Sequence, residues 1–179
     1  MRKQFIKGIL TGVAALLAGA AMIGLLVMKL GPVPVNADQP PPAWEVRLLG
    51  TAVHASVARH AGQRPNPMAP TEENLSAGAE IYAQMCAKCH GKQNAGPSIY
   101  GASFYPPAPQ LAVHPPDYTE AEIFWIVKHG IRNTAMPAWS RQLSDEDIWQ
   151  VAAFLKRLES PPMNEHDRLE KGAPGVAFQ

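Results

Sequence analysis

The sequence predicts an all-α fold, in which a single N-terminal transmembrane helix precedes a small domain of three to four helices. Three observations support this. A run of 21 residues without a charge, 8–28, lies close to the N-terminus. Farther along the chain, apolar residues recur at spacings of three and four, the period of an amphipathic helix. The alternation that marks strands extends over no more than a few residues.

The first predicted element is a membrane anchor over residues 1–30. Its uncharged run would form about 31 Å of helix, enough to cross the hydrocarbon core of a bilayer. Three basic residues precede the run, so the positive-inside rule predicts a single-pass protein of the bacterial inner membrane with its remaining chain in the periplasm. The alternative is a cleaved signal peptide, since Val35-Asn36-Ala37 offers small residues to a signal peptidase. The apolar region of a signal peptide is usually shorter than this 21-residue run, at about 7 to 15 residues.

A proline-rich spacer with a short amphipathic helix is predicted over residues 31–70. The helix runs from Trp44 to about His60. We expect it to pack on the following domain or to lie at the membrane surface, and we interpret His54 and His60 as ordinary surface or packing residues. Its predicted apolar side consists of Trp44, Leu48, Leu49, Ala52, Val53 and Val57.

The compact domain is predicted over residues 71–160, and a polar C-terminal tail over residues 161–179. Three helices are expected in the domain, each marked by residues that begin or end a helix. These residues are Thr71 for the first helix, Thr119 with Glu122 and Gly130 for the second, and Ser144 with Pro161 for the third.

Residues 86–90 read Cys-Ala-Lys-Cys-His, and Cys86 and Cys89 are the only cysteines in the chain. This pentapeptide is the attachment signature of a c-type haem. Two thiols three residues apart share one face of a helical turn, where they can form thioethers with the two vinyl groups of a porphyrin. His90 then projects toward the iron as its proximal ligand. We therefore expect one covalent haem c.

Three other interpretations of the motif are weaker. A thioredoxin-like redox pair needs a βαβ context, and no strand is predicted nearby. A zinc site needs a second ligand pair at zinc-finger spacing, which does not follow in the sequence. A disulfide between Cys86 and Cys89 would close a very small ring and leave the adjacent histidine unexplained.

The segment 91–118 contains six prolines and reads as one long loop. Such loops are uncommon in compact domains, so we expect this one to wrap the haem at the centre of the core. An electron-transfer haem also needs a sixth ligand opposite the histidine. Met136 is the leading candidate, because it lies between two predicted helices in a loop stiffened by Pro137. His114 and His129 are the rival ligands.

Residues 71–158 resemble a class I, mono-haem cytochrome c, specifically the haem domain of a membrane-anchored cytochrome oxidase subunit. The resemblance covers about half of the chain and implies a small cytochrome c fold wrapped around the haem. The matching residues are Gly78, Tyr82, the run from Cys86 to Gly91, Gly96-Pro97, the run Met136-Pro137-Ala138-Trp139, Ser144 to Trp149, and Phe154-Leu155.

The resemblance also implies two contacts. Gly78 on the first helix should receive an aromatic side chain, expected to be that of Phe154, from the last helix. A proline carbonyl in the long loop should accept a hydrogen bond from the His90 ring, which would fix the tautomer and strengthen iron ligation. We expect Pro97 to supply this carbonyl, with Pro107 as the second candidate.

The charge balance constrains the partners. Twelve Lys or Arg and fifteen Asp or Glu follow Gly31, so the exported part is slightly acidic. No basic stripe of the kind that binds nucleic acid is present. Lys88 and Lys92 flank the attachment site and are either solvated surface residues or part of a docking face. The alternative candidates for a docking face or a haem propionate contact are Arg132, Arg141 and Trp139.

Together these features predict an electron-transfer protein that carries single electrons between redox partners, as a subunit of a larger membrane respiratory complex. We expect no small-molecule substrate and no catalytic residue. The alternative class is a haem-based sensor or a small peroxidase-like enzyme, which needs an open or easily vacated iron position. The sequence offers no residue that resembles a distal acid or base for that chemistry.

Overall fold

In a computed structural model of the chain, the described residues are 2–32, 35–39, 41–92, 97–111 and 113–158. Within these ranges the chain is helical and contains no strand, which confirms the predicted all-α class. The predicted C-terminal tail and the Pro161 stop signal lie outside the described residues. Contacts between residues divide the chain into two compact units, Met1–Asn36 and Ala37–Gln179.

The first unit contains α1 (Arg2–Leu30), a helix of 29 residues. Its long apolar side chains are exposed, among them Leu16 and Leu17. In the described part of the chain, α1 is the one helix whose length and apolar composition suit a bilayer span, a test that N-terminal signal sequences also pass.

The second unit holds the remaining helices of the described residues. A single π-helical turn, Tyr82–Cys86, joins α3 to α4, so that these segments form one continuous helical run. The helices are α2 (Ala43–Ala61), α3 (Glu72–Ile81), α4 (Ala87–His90), α5 (Ile99–Ala102), α6 (Glu120–His129) and α7 (Asp145–Leu158).

The predicted helix starts are confirmed. The hydroxyl of Thr71 accepts a hydrogen bond from the amide of Asn74 at 3.3 Å and caps α3. Thr119 and Glu122 make both hydrogen bonds of a capping box at the start of α6. Ser144 caps α7 through the same reciprocal pattern. Each cap satisfies amides that have no partner within the helix.

Helices α3 and α7 cross at Gly78. A Cβ atom at this position would lie 2.2 Å from the backbone oxygen of Gln150 and 3.0 Å from the Cβ of Phe154. The rings of Tyr82 and Phe154 meet beside the crossing, with centroids 5.5 Å apart. The contact between Gly78 and Phe154 that the resemblance implied is therefore present.

The core of the second unit lies between α3, α6 and α7. Phe124 on α6 stacks on Trp149 of α7, with ring centroids 4.2 Å apart. Ile148 and Val151 on α7 are fully buried. Such stacked aromatic pairs add to the stabilisation that comes from burying their area, so α7 is the helix around which the others pack.

Helix α2 packs on α6. Val57 is 1% exposed, and two histidines of α2 stack on aromatic rings: His54 on Tyr118 at 4.9 Å and His60 on Trp125 at 5.8 Å between centroids. The spacer helix thus packs on the following domain, which is one of the two arrangements expected from the sequence. Both histidines are packing residues.

The predicted apolar side of α2 is divided between two faces. Val53 and Val57 turn toward the domain, whereas Trp44, Leu48 and Leu49 remain exposed at 66%, 61% and 55%. The division follows from the pattern itself, because neighbouring apolar residues lie about 100° apart around a helix.

The close approach at Gly78 predicts that Gly78→Ala will lower the free energy of unfolding by about 1–3 kcal/mol, because the added methyl group meets backbone that cannot move aside. Urea unfolding of the haem-bound protein measures this. Gly50→Ala is the matched control, since its Cβ would have no heavy atom within 4 Å and alanine favours a helix. Equal stability of the two variants would contradict the prediction.

Candidate haem site

The haem signature occupies the end of the helical run formed by α3, the π-helical turn and α4. Cys86 and Cys89 are free, partly buried thiols, and His90 is the last residue of α4. Gly91 ends the run with φ of 83°, a left-handed conformation that glycine adopts without strain. The two thiols and the imidazole are therefore presented together by one short, rigid segment.

Tyr82 secures the end of this segment. Its hydroxyl donates to the backbone oxygen of His90 at 3.1 Å and to that of Gly91 at 2.8 Å. Burial raises the pKa of Tyr82, with a smaller contribution from Cys86, so its hydroxyl stays protonated and remains a donor. These bonds satisfy two carbonyls that have no partner within the helix.

Gln110 ties the long loop to the same segment, a role that sequence reasoning missed. Its amide nitrogen donates to the backbone oxygens of Ala108 at 2.9 Å and Cys89 at 3.3 Å, and its oxygen accepts from the amide of Ser98 at 2.7 Å. The Ser98 hydroxyl donates in turn to the backbone oxygen of Lys88. The available signal was a single amide side chain within an otherwise apolar, proline-rich run.

The carbonyl beside the His90 ring belongs to Pro109, with 2.9 Å between its oxygen and Nδ1. The expectation that Pro97 or Pro107 would supply this carbonyl was wrong. Gln110 places residues 108–110 against the end of α4, whereas Pro97 is exposed and precedes Ser98, which bonds to Lys88. With Nδ1 engaged, Nε2 is left as the nitrogen that can ligate a metal.

Burial controls the protonation of the site. It lowers the pKa of His90 against the opposing effect of the Pro109 hydrogen bond, which favours the neutral imidazole that a metal requires. Burial, with a smaller contribution from Cys89, raises the pKa of Cys86 to about 11. Reactive redox cysteines have a lowered pKa, so this environment does not suit a thioredoxin-like pair.

Met136 lies in the loop between α6 and α7, partly buried against the core. Its backbone oxygen accepts from the amide of Ile131 at 3.1 Å, and its amide donates to the hydroxyl of Thr134 at 3.1 Å. Gly130 lies beneath the loop with φ of 67°, where a Cβ would lie 2.7 Å from the Met136 oxygen. The backbone of Met136 is therefore fixed in place.

The rival histidines occupy different surroundings. His114 and His129 are both exposed, and the His129 ring packs beside that of Trp125 with centroids 5.1 Å apart. Pro137 is exposed, whereas Trp139 is partly buried against the core and donates its amide to the oxygen of Val127 at 3.0 Å.

The charged candidates all lie on the surface. Lys88 lies over the ring of Tyr100, with its ammonium 4.9 Å from the centroid. Lys92, Arg132 and Arg141 are exposed. Each is therefore accessible to a partner, as a docking residue would have to be.

The donor set fits a covalent haem c. Two thiols and one imidazole come from the end of one continuous helical run, in which Cys86 ends the π-helical turn and Cys89 and His90 lie in α4. The imidazole is oriented by a backbone carbonyl, and the surrounding backbone is tightly constrained. Gly101 shows this constraint, because a Cβ there would lie 2.0 Å from the oxygen of Cys89. The loop therefore lies close to the attachment segment. The thiols of Cys86 and Cys89 and the Nε2 atom of His90 are the groups that remain free to bind the haem.

Comparisons with known proteins agree with this assignment. Residues 73–155 match the sequence model of a family described as cytochrome C oxidase, cbb3-type, subunit III. A thiosulfate dehydrogenase of Stutzerimonas stutzeri (strain A1501) is 30% identical over 96 residues, covering 49% of this chain and 28% of that protein. The family match and the donor set together establish covalent haem c, with its iron, as the cofactor.

A solved structure, the reducing HAO-like protein complex of Kuenenia stuttgartiensis, contains a chain that is 23% identical. The match covers 51% of this chain and 46% of that one, with a TM-score of 0.44. This chain therefore spans less than half of the solved chain and less than a third of the thiosulfate dehydrogenase.

The bridging role of Gln110 predicts that Gln110→Ala will destabilise the haem-bound protein by about 1–3 kcal/mol, because bonded polar groups lose their partner. Hydrogen exchange at the Ser98 amide should accelerate at the same time, since Gln110 is the acceptor of that amide. Gln142→Ala, at an exposed glutamine, is the control. An unchanged exchange rate at Ser98 would show that Gln110 does not hold the loop.

Proposed function

We propose that this chain is a membrane-anchored carrier of single electrons, which the match of residues 73–155 to a cytochrome c oxidase subunit family supports. In this proposal α1 is retained in the bacterial inner membrane and the haem domain lies on the periplasmic side. His90 and Met136 are the axial ligands, and the partners are redox proteins or other subunits of a membrane respiratory complex.

The residues of the attachment segment have distinct tasks. Cys86 and Cys89 would hold the cofactor through two thioethers, each formed when a thiol adds across a vinyl group. His90 would ligate through Nε2, since Pro109 engages Nδ1. When bound, haem c supplies an iron that gains or loses one electron at a time.

The fixed position of Met136 carries the proposal. Its loop is closed by hydrogen bonds on both sides of the residue, and its side chain is partly buried against the core. By contrast, His114 and His129 are exposed. A methionine opposite His90 would fill both axial positions, which suits a carrier. A sensor or a peroxidase-like enzyme requires an open or easily vacated position, and the firmly held Met136 loop does not favour that.

The names of the related proteins support redox proteins as partners. The matching family is described as a subunit of an oxidase, and the relative from Stutzerimonas stutzeri is a dehydrogenase. In this proposal the haem domain serves such an assembly by passing electrons through its exposed surface. Lys88 and Tyr100, which are in contact and exposed beside the attachment segment, are candidate docking residues.

Met136→His should lower the reduction potential by a sizeable part of the roughly 0.8 V that axial ligands span. It should also abolish the far-red ferric absorption band expected of an iron–methionine bond. Potentiometric titration and ferric absorption spectra measure these changes. Met85→Leu is the control, because Met85 is exposed at 41% beside the attachment segment.

An unaltered spectrum in Met136→His would remove Met136 from the site. Carbon monoxide distinguishes the functional classes: the reduced protein should bind it slowly, and Met136→Ala should bind it rapidly. Rapid binding by the unaltered protein would favour the sensor or enzyme instead.

The anchor proposal predicts that mature protein from membranes keeps residues 2–30, since α1 is longer than the apolar region of a signal peptide. The intact mass should equal that of the 19.4 kDa chain plus haem, and release should require detergent. A chimaera with a cleavable signal in place of residues 1–37 is the control and should be soluble. A mature N-terminus at Asp38 in the unaltered protein would show that α1 is a signal peptide.

A further inference from the structure

Helix α2 carries two rows of residues on nearly opposite sides. The inward row is buried or half-buried against the domain and consists of Val46, Gly50, Val53, Val57 and Ala61. The outward row is exposed and consists of Trp44, Leu48, Thr51 and Ala55. Both rows repeat at three and four residues, so each follows the helix axis as a continuous stripe.

The outward stripe is an exposed apolar surface. Trp44 and Leu48, its two largest residues, are 66% and 61% exposed. A shallow depression runs along it, lined by residues of α2 alone: Trp44, Arg47, Leu48, Thr51, Ala52 and Ala55. Since no second element of the described part of the chain closes over the depression, the stripe suits a broad, flat partner.

Charge is distributed unevenly around α2. Arg47 lines the outward stripe, and Arg59 continues it one turn beyond Ala55. Glu45, the only acidic residue of α2, is half-buried and accepts a hydrogen bond from the Tyr105 hydroxyl at 3.5 Å. The outward side of α2 is therefore apolar and cationic.

The chain limits how far this stripe can lie from the end of α1. Helix α1 ends at Leu30 and α2 begins at Ala43. At no more than 3.6 Å per residue, the twelve residues of the connection, 31–42, span at most about 43 Å. Trp44 lies in the first turn of α2, at the end of the helix nearest to this connection.

We propose that the outward stripe of α2 lies on the lipid surface, while its inward stripe holds the haem domain. This rests on the proposed retention of α1 as an anchor. Trp44 has the amphipathic ring that favours the headgroup region, and Arg47 and Arg59 can reach phosphate groups while their stems cover apolar surface. The helix would therefore fix the orientation of the haem domain on the membrane.

The test uses full-length, haem-bound protein in phosphatidylcholine nanodiscs that contain phosphatidylglycerol. Because thioethers consume Cys86 and Cys89, an introduced cysteine is the only free thiol and accepts a fluorescent label. Leu48→Cys and Leu49→Cys form a matched pair, exposed at 61% and 55% and rotated by about 100° around α2. Brominated lipids should quench the label at position 48 several-fold more strongly than the label at position 49.

Thr51→Cys, at a second position on the outward stripe, should behave like Leu48→Cys. Equal, weak quenching at positions 48 and 49, with strong quenching of an Ala18→Cys label in α1, would overturn the lipid contact and leave the anchor intact. Absence of quenching at position 18 would overturn the anchor, and the lipid contact with it. A label at position 48 that is shielded in native membranes but not in nanodiscs would overturn the proposal in favour of a protein partner.

Discussion

The helix that ends at His90, the histidine of the haem signature, leaves its last carbonyls without partners inside the helix. In this chain four consecutive carbonyls, those of residues 88–91, are satisfied from outside α4. Tyr82 covers the last two, and Ser98 and Gln110 cover the first two. Hydrogen bonds to these backbone carbonyls therefore hold the loop against the attachment segment. This places Pro109 beside the His90 ring.

Sequence reasoning succeeded where the information is local. The capping box of Thr119 and Glu122 and the glycine at position 78 are short patterns with one physical meaning, and the structure contains both. Pro109 and Gln110 were not predictable in the same way. The six prolines of the loop follow no periodic pattern that would single one of them out. Which proline carbonyl reaches His90 is decided by contacts between residues that are distant in the sequence. Met136 remains a prediction that its fixed loop supports.

The compact unit extends beyond the segment that matches the family model. The family match covers residues 73–155, yet α2 buries Val57 against α6 and stacks His54 and His60 on its neighbours. The spacing of apolar residues in the sequence explains why they face two ways, but it does not assign a partner to each side. Packing inward and exposing a second stripe outward is what distinguishes α2 from the core helices.

The contact at Lys88 has an evolutionary consequence. Ser98 bonds to the backbone oxygen of Lys88, and the Lys88 side chain is exposed over Tyr100. Any residue offers the same backbone oxygen, so position 88, the second of the two between the cysteines, can change its charge without loosening the loop. Surface charge beside the haem can thus diverge among descendants of this protein, adapting it to new partners while the fold that carries the cofactor stays the same.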